Sequence, residues 1–266
     1  MRDDEAQALA AVFSLCGSNE FGTALDRLAT TAAAFDMSSI FAFYADRSPV
    51  VIHDGYSATI NRKALQAYIR GAYLLDPFYS ASVGNHAKGL WRMRDLAPDA
   101  FYGGSFSSSR EVYPCISDEA KTLIEEIGFI ISLDEKVSAT FSLMRNSGGI
   151  SFSEEEFSAL STLTPLVAIS LRRHWQIVNV AEVESDNSTT IRRHSEEIFQ
   201  RAFSNLTRAQ YLVTKLILRG HSNISIAENL GITEGTVKMH RYNIYKRLNI
   251  SSQAELFQRF IDQLSE

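Results

Sequence analysis

The sequence contains few of the residues that mark disulfide-rich or metal-binding proteins. Its 266 residues include only two cysteines, Cys16 and Cys115, which is too few for a disulfide framework or a four-thiolate zinc site. The six histidines show no metal-ligand spacing, and neither cysteine has a histidine nearby in a recognisable catalytic arrangement. We therefore expect no cofactor, no metal ion and no enzymatic activity, in a protein of the reducing cytoplasm.

Long hydrophobic runs are also missing. Apolar stretches such as residues 166–169 are far shorter than the roughly 20 residues of a membrane-spanning helix. The chain begins with acidic residues, Asp3, Asp4 and Glu5, where a signal peptide would be basic and then apolar. We expect no membrane association. With 45% hydrophobic and 21% charged residues, the chain has the composition of a globular protein, and its length predicts about two domains.

The charge is distributed unevenly along the chain. Residues 191–266 contain 11 Lys and Arg against 7 Asp and Glu, a formal charge of +4, whereas residues 1–190 carry −9. A basic C-terminal segment behind an acidic body indicates a small anion-binding module attached to a larger domain.

The first 175 residues alternate helical periodicity with short apolar runs. We predict helices over residues 4–15, 21–35, 61–73, 118–127 and 154–175, and strands over 38–44, 50–52, 128–133 and 137–144. Residues 84–118, with several glycines and serines, have no clear periodicity and are expected to be irregular, with short helices. The alternation predicts an α/β fold, an α-β-α sandwich around one sheet, for residues 1–176. The polar stretch 182–190 marks a linker, set at residues 177–198, before a second domain at 199–266.

Helix start and stop signals follow one another closely in that second domain. Helix-capping side chains stand at Thr207, Ser222, Thr233 and Ser252, and exit residues suited to left-handed backbone at Gly220, Gly231 and Asn249. They predict an all-α domain of four helices, in which residues 223–230 and 234–248 have the spacing of a helix-turn-helix.

The third of these helices has a core face and a basic outer face. Val237, Ile244 and Leu248 recur at helical spacing and are expected in the core. The outer face carries Lys238, Arg241, Tyr242 and Lys246, with His240 close by. A basic helix with aromatic and other hydrogen-bonding side chains can enter a DNA major groove, although Lys246 has an equally good interpretation as an ordinary surface charge.

The same segment resembles a known family. The residues that carry the likeness are Leu206-Thr207, Gly220-His221-Ser222-Asn223, Ile226-Ala227, Leu230-Gly231-Ile232-Thr233, Thr236-Val237-Lys238-Met239-His240 and Asn243-Ile244-Tyr245-Lys246-Arg247-Leu248. They are similar to the LuxR-type helix-turn-helix of bacterial transcription factors. The resemblance implies that Lys238, Met239 and Tyr242 face bases, and that Asn223, Thr236, His240 and Arg241 lie at or near phosphates. One departure is Arg208-Ala209-Gln210, where the family usually has a glutamate that forms an internal ion pair.

The N-terminal region lacks the acidic cluster of a receiver domain and the glycine-rich loop of an ATPase. Its pattern of Tyr68, Tyr73, Asp76-Pro77, Trp91 and Ser142 resembles the autoinducer-binding, GAF/PAS-like domain of LuxR proteins. That resemblance implies a pocket in which aromatic side chains enclose an acyl lactone and an aspartate accepts its amide proton. The alternative remains that the two tyrosines and Trp91 are core residues and that Asp76 caps a turn or helix.

Two functions are therefore open. The first is a one-component regulator that binds double-stranded DNA and responds to a small, largely apolar effector in its N-terminal domain. The second is a ligand-free DNA-binding regulator whose N-terminal domain serves for dimerisation or protein docking. In both we expect a homodimer, with candidate contacts on the helix ending near Trp175 and on residues 252–260, and RNA polymerase as a further partner.

Overall fold

Five segments rich in β-branched and aromatic residues form one antiparallel sheet. The strands are β1 (Met37–Tyr44), β2 (Val50–Gly55), β3 (Gly89–Arg92), β4 (Leu123–Ser132) and β5 (Val137–Asn146), in the spatial order β2-β1-β5-β4-β3. The computed structural model describes residues 3–45, 47–56, 62–84, 86–101, 123–146, 150–183 and 194–265. All eight residues of β1 are buried because this strand lies inside the sheet, whereas β2, at the edge, is half-buried throughout.

The described residues group into two units. Unit 1 comprises Met1–Thr59, Ala81–Asp95 and Leu123–Arg192, and unit 2 comprises Ile60–Ser80, Leu96–Thr122 and Arg193–Glu266. Two segments from the middle of the sequence therefore group with the C-terminal helices. The domain boundaries expected from the sequence, 1–176, 177–198 and 199–266, remain a prediction.

Unit 1 has its apolar core on one face of the sheet. Four helices contribute to this core: α1 (Asp3–Ser14), α2 (Phe21–Thr30), α6 (Glu154–Thr162) and α7 (Thr164–Val183). Leu25, Leu28, Phe129, Phe141 and Leu171 are fully buried there. The α/β, GAF/PAS-like fold class predicted for this region is confirmed by the antiparallel sheet and its helices.

The residues that pair across the sheet share a face, because directly opposed side chains in antiparallel strands point to the same side. One such row runs Ser39, Ser142, Gly128 and Trp91. In the same unit, the Ser82 hydroxyl lies 3.0 Å from the Thr140 hydroxyl of β5. The row brings two of the predicted site residues, Trp91 and Ser142, onto one side of the sheet.

Unit 2 is helical in the part that the structure describes. It contains α3 (Arg62–Arg70), a 3-10 turn (Ala72–Leu75) and the first residues of α4 (Pro77–Val83). From the C-terminal segment it contains α8 (His194–Ala202), α9 (Arg208–Leu218), α10 (Asn223–Leu230), α11 (Glu234–Leu248) and α12 (Gln253–Ser265). The last four are the helices predicted from the capping signals. The sequence did not predict α8, whose Phe199 stacks on Phe260 with ring centroids 4.5 Å apart.

Several predicted segments differ from the structure. The predicted helix over 118–127 is wrong for residues 123–127, which belong to β4; residues 118–122 lie outside the described residues. The expected irregular region contains β3, which was not predicted, whereas its short helix α5 (Met93–Leu96) agrees with the short helices expected there. The predicted helix 154–175 is divided at Leu163, and α7 continues to Val183. With α8 starting at His194, both ends of the expected linker 177–198 are helical.

Candidate functional site

Local signals set the position of α11 within the C-terminal helices. Gly231 ends α10 in the left-handed conformation, with φ at +65°. The Thr233 hydroxyl then accepts the backbone N–H of Thr236 at 3.1 Å, which satisfies a donor at the start of α11. Asn249 ends the helix with φ at +53°. Each of these boundaries agrees with the sequence prediction.

The two faces of α11 differ in burial as predicted. Val237, Ile244 and Leu248 are buried and hold the helix against α9 and α10. On the opposite side, Met239 is 56% and Tyr242 66% exposed. Lys238 and Lys246 are exposed as well, and Lys238 pairs with Glu234 one turn earlier at 2.8 Å. The structure thus presents two lysines, a methionine and a tyrosine from a firmly packed helix.

Arg241 and Asn223, both expected near phosphates, lie in contact with each other. The Arg241 guanidinium donates to Asn223 Oδ1 at 3.0 Å, to the Tyr245 hydroxyl at 3.1 Å and to Gln253 Oε1 at 3.4 Å. It therefore joins the starts of α10 and α12 to α11. Neither Tyr245 nor Gln253 was among the predicted site residues, because their role depends on how three helices pack.

The other two expected phosphate neighbours are half-buried. The Thr236 hydroxyl lies 2.9 Å from that of Thr233, within the cap of α11. His240 is half-buried on the same helix. The eight predicted DNA-contacting residues therefore lie along α11 and at the start of α10, and four of them are exposed.

Gln210, where the sequence departs from the family pattern, makes two side-chain contacts in the structure. Gln210 and Thr207 form a reciprocal capping box at the start of α9, in which Gln210 Oε1 accepts the Thr207 N–H at 3.1 Å. The same oxygen accepts a hydrogen bond from Arg247 Nη1 at 3.1 Å. A neutral amide thus contacts Arg247 of α11 at the position where the family usually has a glutamate.

Three of the expected effector residues lie together in unit 2. Tyr68, Tyr73 and Asp76 are buried, and the two tyrosine rings meet edge to face with centroids 6.4 Å apart. The Tyr68 hydroxyl donates to Asp76 Oδ2 at 2.5 Å, and the Phe78 N–H donates to Asp76 Oδ1 at 2.7 Å. Asp76 thus caps α4, which is the alternative role that the sequence left open.

Burial dominates the electrostatics of Asp76. It raises the pKa of this carboxyl to about 6, although the hydrogen bonds from Tyr68, Phe78 and Tyr79 act in the opposite direction. A buried carboxyl with a pKa this close to neutrality can change its charge when its surroundings change.

The other two expected effector residues, Trp91 and Ser142, belong to unit 1. The Trp91 indole N–H donates to the carbonyl of Ala87 at 2.8 Å, and the indole ring meets His86 edge to face. Ser142 is buried in the middle of β5. The indole N–H therefore already has an acceptor, in the residues just before β3.

Unit 1 also has a polar cleft that the sequence did not predict. Its volume is about 370 Å³, and Phe43, Ser82, Lys88 and Ser138 are among the residues that line it. Lys88 Nζ donates to Ser138 Oγ at 3.3 Å and to the Ser82 carbonyl at 3.4 Å. Partial burial lowers the pKa of this ammonium group.

Within the described ranges, no group of three or more His, Cys, Asp or Glu side chains is placed to hold a metal ion. Cys16 is half-buried, with its thiol directed at the Val12 carbonyl, and Cys115 lies outside those ranges. No helix in the part of the chain that the structure describes is long and apolar enough to cross a membrane.

Comparisons with known proteins match both parts of the chain. Residues 204–260 match the family described as "Bacterial regulatory proteins, luxR family". The chain is 32% identical over 196 residues to the "Putative HTH-type transcriptional regulator in exeN 3'region" of Aeromonas salmonicida, covering 71% of this chain and 94% of that protein. It is 39% identical over 54 residues to the response regulator protein TodT of Pseudomonas putida, covering 20% of this chain and 24% of TodT.

A solved structure resembles the N-terminal part. The LBD domain of VqsR from Pseudomonas aeruginosa superimposes with a TM-score of 0.54 at 19% identity, covering 66% of this chain and 99% of that domain. At this identity the likeness concerns the fold alone.

Proposed function

This chain belongs to the LuxR family of bacterial regulatory proteins, and from that premise we propose that it is a one-component transcription regulator switched by a small, largely apolar effector. The family is one of transcriptional regulators with a helix-turn-helix DNA-binding domain. Beyond family membership, we propose which helix contacts DNA, what kind of effector is bound and how many copies of the chain assemble.

The exposed face of α11 carries the DNA part of the proposal. Lys238, Met239 and Tyr242 would contact bases in the major groove, because they project from a helix that the buried face holds in place. Lys246 would contact the phosphate backbone. Asn223, Thr236, His240 and Arg241 would lie at or near phosphates beside the start of α10.

The effector part rests on a buried aromatic and acidic cluster. Tyr68, Tyr73 and Asp76 bring two phenol rings and a carboxyl of raised pKa together, which suits a ligand with an apolar body and one hydrogen-bonding group. For unit 1 we propose Trp91 and Ser142, which share one side of the sheet, as effector-contacting residues. The relative of this fold is named as an LBD domain, which favours the same use here.

The ligand-free alternative is supported by a specific observation. Both oxygens of Asp76 already accept hydrogen bonds from Tyr68 and Phe78, and the Trp91 indole N–H already donates to Ala87. Because these groups already have partners within the chain, the N-terminal region would act as a dimerisation or protein-docking module instead.

A homodimer would double the few base contacts that a single α11 makes. Ile169 and Ile177 of α7 are 52% and 44% exposed, and a second copy of the chain would cover them. Acting on chromosomal DNA, the protein would work in the cytoplasm, with RNA polymerase as a further partner of the bound dimer.

A thermal-shift experiment on the full chain separates the two functions. We would use N-octanoyl homoserine lactone and an octanoyl glycerol as probes, with free octanoate as the control for nonspecific amphiphile binding. The effector proposal expects at least one probe to raise the melting temperature in a saturable way, since a ligand stabilises the state that it binds. The alternative expects equal melting temperatures with every compound, while binding to duplex DNA is retained.

A further inference from the structure

A short segment of unit 2 forms hydrogen bonds with the turn that precedes α10, although the two are far apart in the sequence. The segment is Pro98–Phe101 and the turn is Arg219–Ser222. The Ala100 N–H donates to the Gly220 carbonyl at 3.0 Å, and the Ser222 N–H donates to Asp99 Oδ1 at 2.9 Å. Two directed hydrogen bonds therefore fix the segment on the DNA-binding helices.

Side-chain packing supports the same contact. Phe101 is 2% exposed, and its Cα and Cβ lie close to Gly220. A Cβ atom at Gly220 would meet the Phe101 Cα at 2.9 Å, and the φ of +90° at this position also favours glycine. The turn is thus shaped to admit the segment.

The chemistry of the contact matches that of a helix with an anion at its start. Ser222 is the residue that caps α10, and the orphan N–H groups of a helix start attract negative charge. Partial desolvation acts to raise the pKa of Asp99, but hydrogen bonds from the Ser222 side chain and backbone outweigh it, and the net pKa is lowered. The carboxylate therefore stays charged at neutral pH.

The location of the contact connects it with DNA. Asn223 follows Ser222 directly and accepts the hydrogen bond from Arg241, so the Asp99 carboxylate sits beside the residues proposed to approach phosphates. Helix starts commonly donate backbone N–H groups to DNA phosphates. A phosphate approaching the start of α10 would meet the carboxylate of Asp99, and two anions cannot share those donors.

We propose that Pro98–Phe101 is an internal brake, which covers the start of α10 with the Asp99 carboxylate and must leave before DNA binds fully. The inference rests on the proposed DNA-binding function. Asp99 is exposed to solvent, so its bond to Ser222 is weak enough to be displaced. In the sequence, the segment follows β3 and the short helix α5.

A second contact joins the N-terminal half of the sequence to another of the C-terminal helices. In unit 2, α3 packs against α12. Chain from the N-terminal half thus touches the DNA-binding helices at both the α9–α10 turn and α12.

The test compares two full-length variants that lose the same charge. Asp99→Ala removes the carboxylate from Ser222, and Asp95→Ala removes an exposed carboxylate whose ion-pair neighbour is Arg94. Affinity for one duplex, selected from a fragment pool with the wild-type protein, is measured by fluorescence anisotropy without effector. The brake predicts that Asp99→Ala binds about threefold to tenfold more tightly than both wild type and Asp95→Ala.

Hydrogen–deuterium exchange of the wild-type protein provides a readout that needs no variant. On adding the duplex, exchange should rise in the peptide containing Ala100 and stay low in the peptide containing Ser222, because a phosphate replaces the carboxylate. Equal affinity of Asp99→Ala and Asp95→Ala, or unchanged exchange at Ala100 when DNA is bound, would overturn the brake alone. Failure of both the wild-type protein and Asp99→Ala to bind any duplex would overturn the proposed function, and the brake with it.

Discussion

Tyr68 donates its phenolic hydrogen to Asp76 across 2.5 Å, within a cluster where both residues are buried. The other carboxylate oxygen accepts the Phe78 N–H and so caps α4. One aspartate therefore combines a capping role with a pKa raised to about 6. Measurements of stability against pH can separate the capping role of Asp76 from the effect of its raised pKa.

Asp76→Asn is expected to alter how stability depends on pH. The folded-state pKa, about 6, lies above the ordinary value of 3.8, so the contribution of this group to stability is full below the ordinary pKa and is lost as pH rises through about 6. Asparagine retains an acceptor for Phe78 and never ionises. Relative to wild type, the variant should gain roughly 1–3 kcal/mol in unfolding free energy between pH 4.5 and pH 8, measured by urea denaturation.

Tyr68→Phe is the matched control for that measurement. It removes the donor that favours the ionised carboxylate, so it should raise the pKa of Asp76 further and steepen the loss of stability with pH. A difference between Asp76→Asn and wild type that stays constant from pH 4.5 to pH 8 would show that Asp76 does not titrate in this range.

Arg241→Ala is expected to weaken both the fold and DNA binding. The guanidinium bonds to acceptors on three helices, Asn223, Tyr245 and Gln253, and its loss should lower the unfolding free energy by about 1–3 kcal/mol. Lys246→Ala removes an exposed charge and should leave stability within about 0.5 kcal/mol of wild type. Equal stability of these two variants in chemical denaturation would contradict the bracing role of Arg241.

Gln210→Glu is expected to stabilise the C-terminal helices. The new carboxylate would keep the capping box with Thr207, favour the helix start and pair with Arg247. Because Gln210 is buried, loss of hydration offsets part of the gain, and we expect about 0.5–1 kcal/mol in thermal unfolding at pH 7. Gln210→Ala should instead lose about 1 kcal/mol. A fall in melting temperature with glutamate would mean that desolvation dominates.

Thr233→Ala tests the cap of α11. The hydroxyl that accepts the Thr236 N–H is removed, so the variant should be less stable by about 1 kcal/mol, while Thr233→Ser should stay near wild type. Urea unfolding followed by circular dichroism measures both. Identical midpoints for the alanine and serine variants would exclude a capping contribution.

The parts of the fold that were predictable depend on short-range signals. Caps at Thr207, Ser222 and Thr233, and left-handed exits at Gly231 and Asn249, involve residues within a few positions of each other. Their chemistry is therefore complete in the local sequence. For the same reason, the two faces of α11 followed from periodicity alone.

The parts that were missed depend on partners distant in the chain. Residues Ile124 to Ile127 contain two glutamates and looked helical, yet they lie in β4, where the buried Glu125 carboxylate bonds to Arg92 and to the Phe152 N–H. The residues next to Glu125 in the sequence do not indicate which distant residues it bonds to. The contact of Asp99 with Ser222 and the three bonds of Arg241 are hidden for the same reason.

The salt dependence of duplex binding tests the central claim, that α11 reads DNA, most directly. Wild type and Lys238→Ala would be compared by fluorescence anisotropy on one selected duplex over a series of salt concentrations. We expect the affinity of the wild-type protein for the duplex to fall steeply as the salt concentration rises. We also expect Lys238→Ala to bind more weakly than wild type. If Lys238 contacts a phosphate, the slope of log affinity against log salt concentration is reduced by about one. If it contacts a base, the slope is unchanged and the preference for one sequence is relaxed. Equal affinity, slope and sequence preference for the two proteins would contradict the central claim.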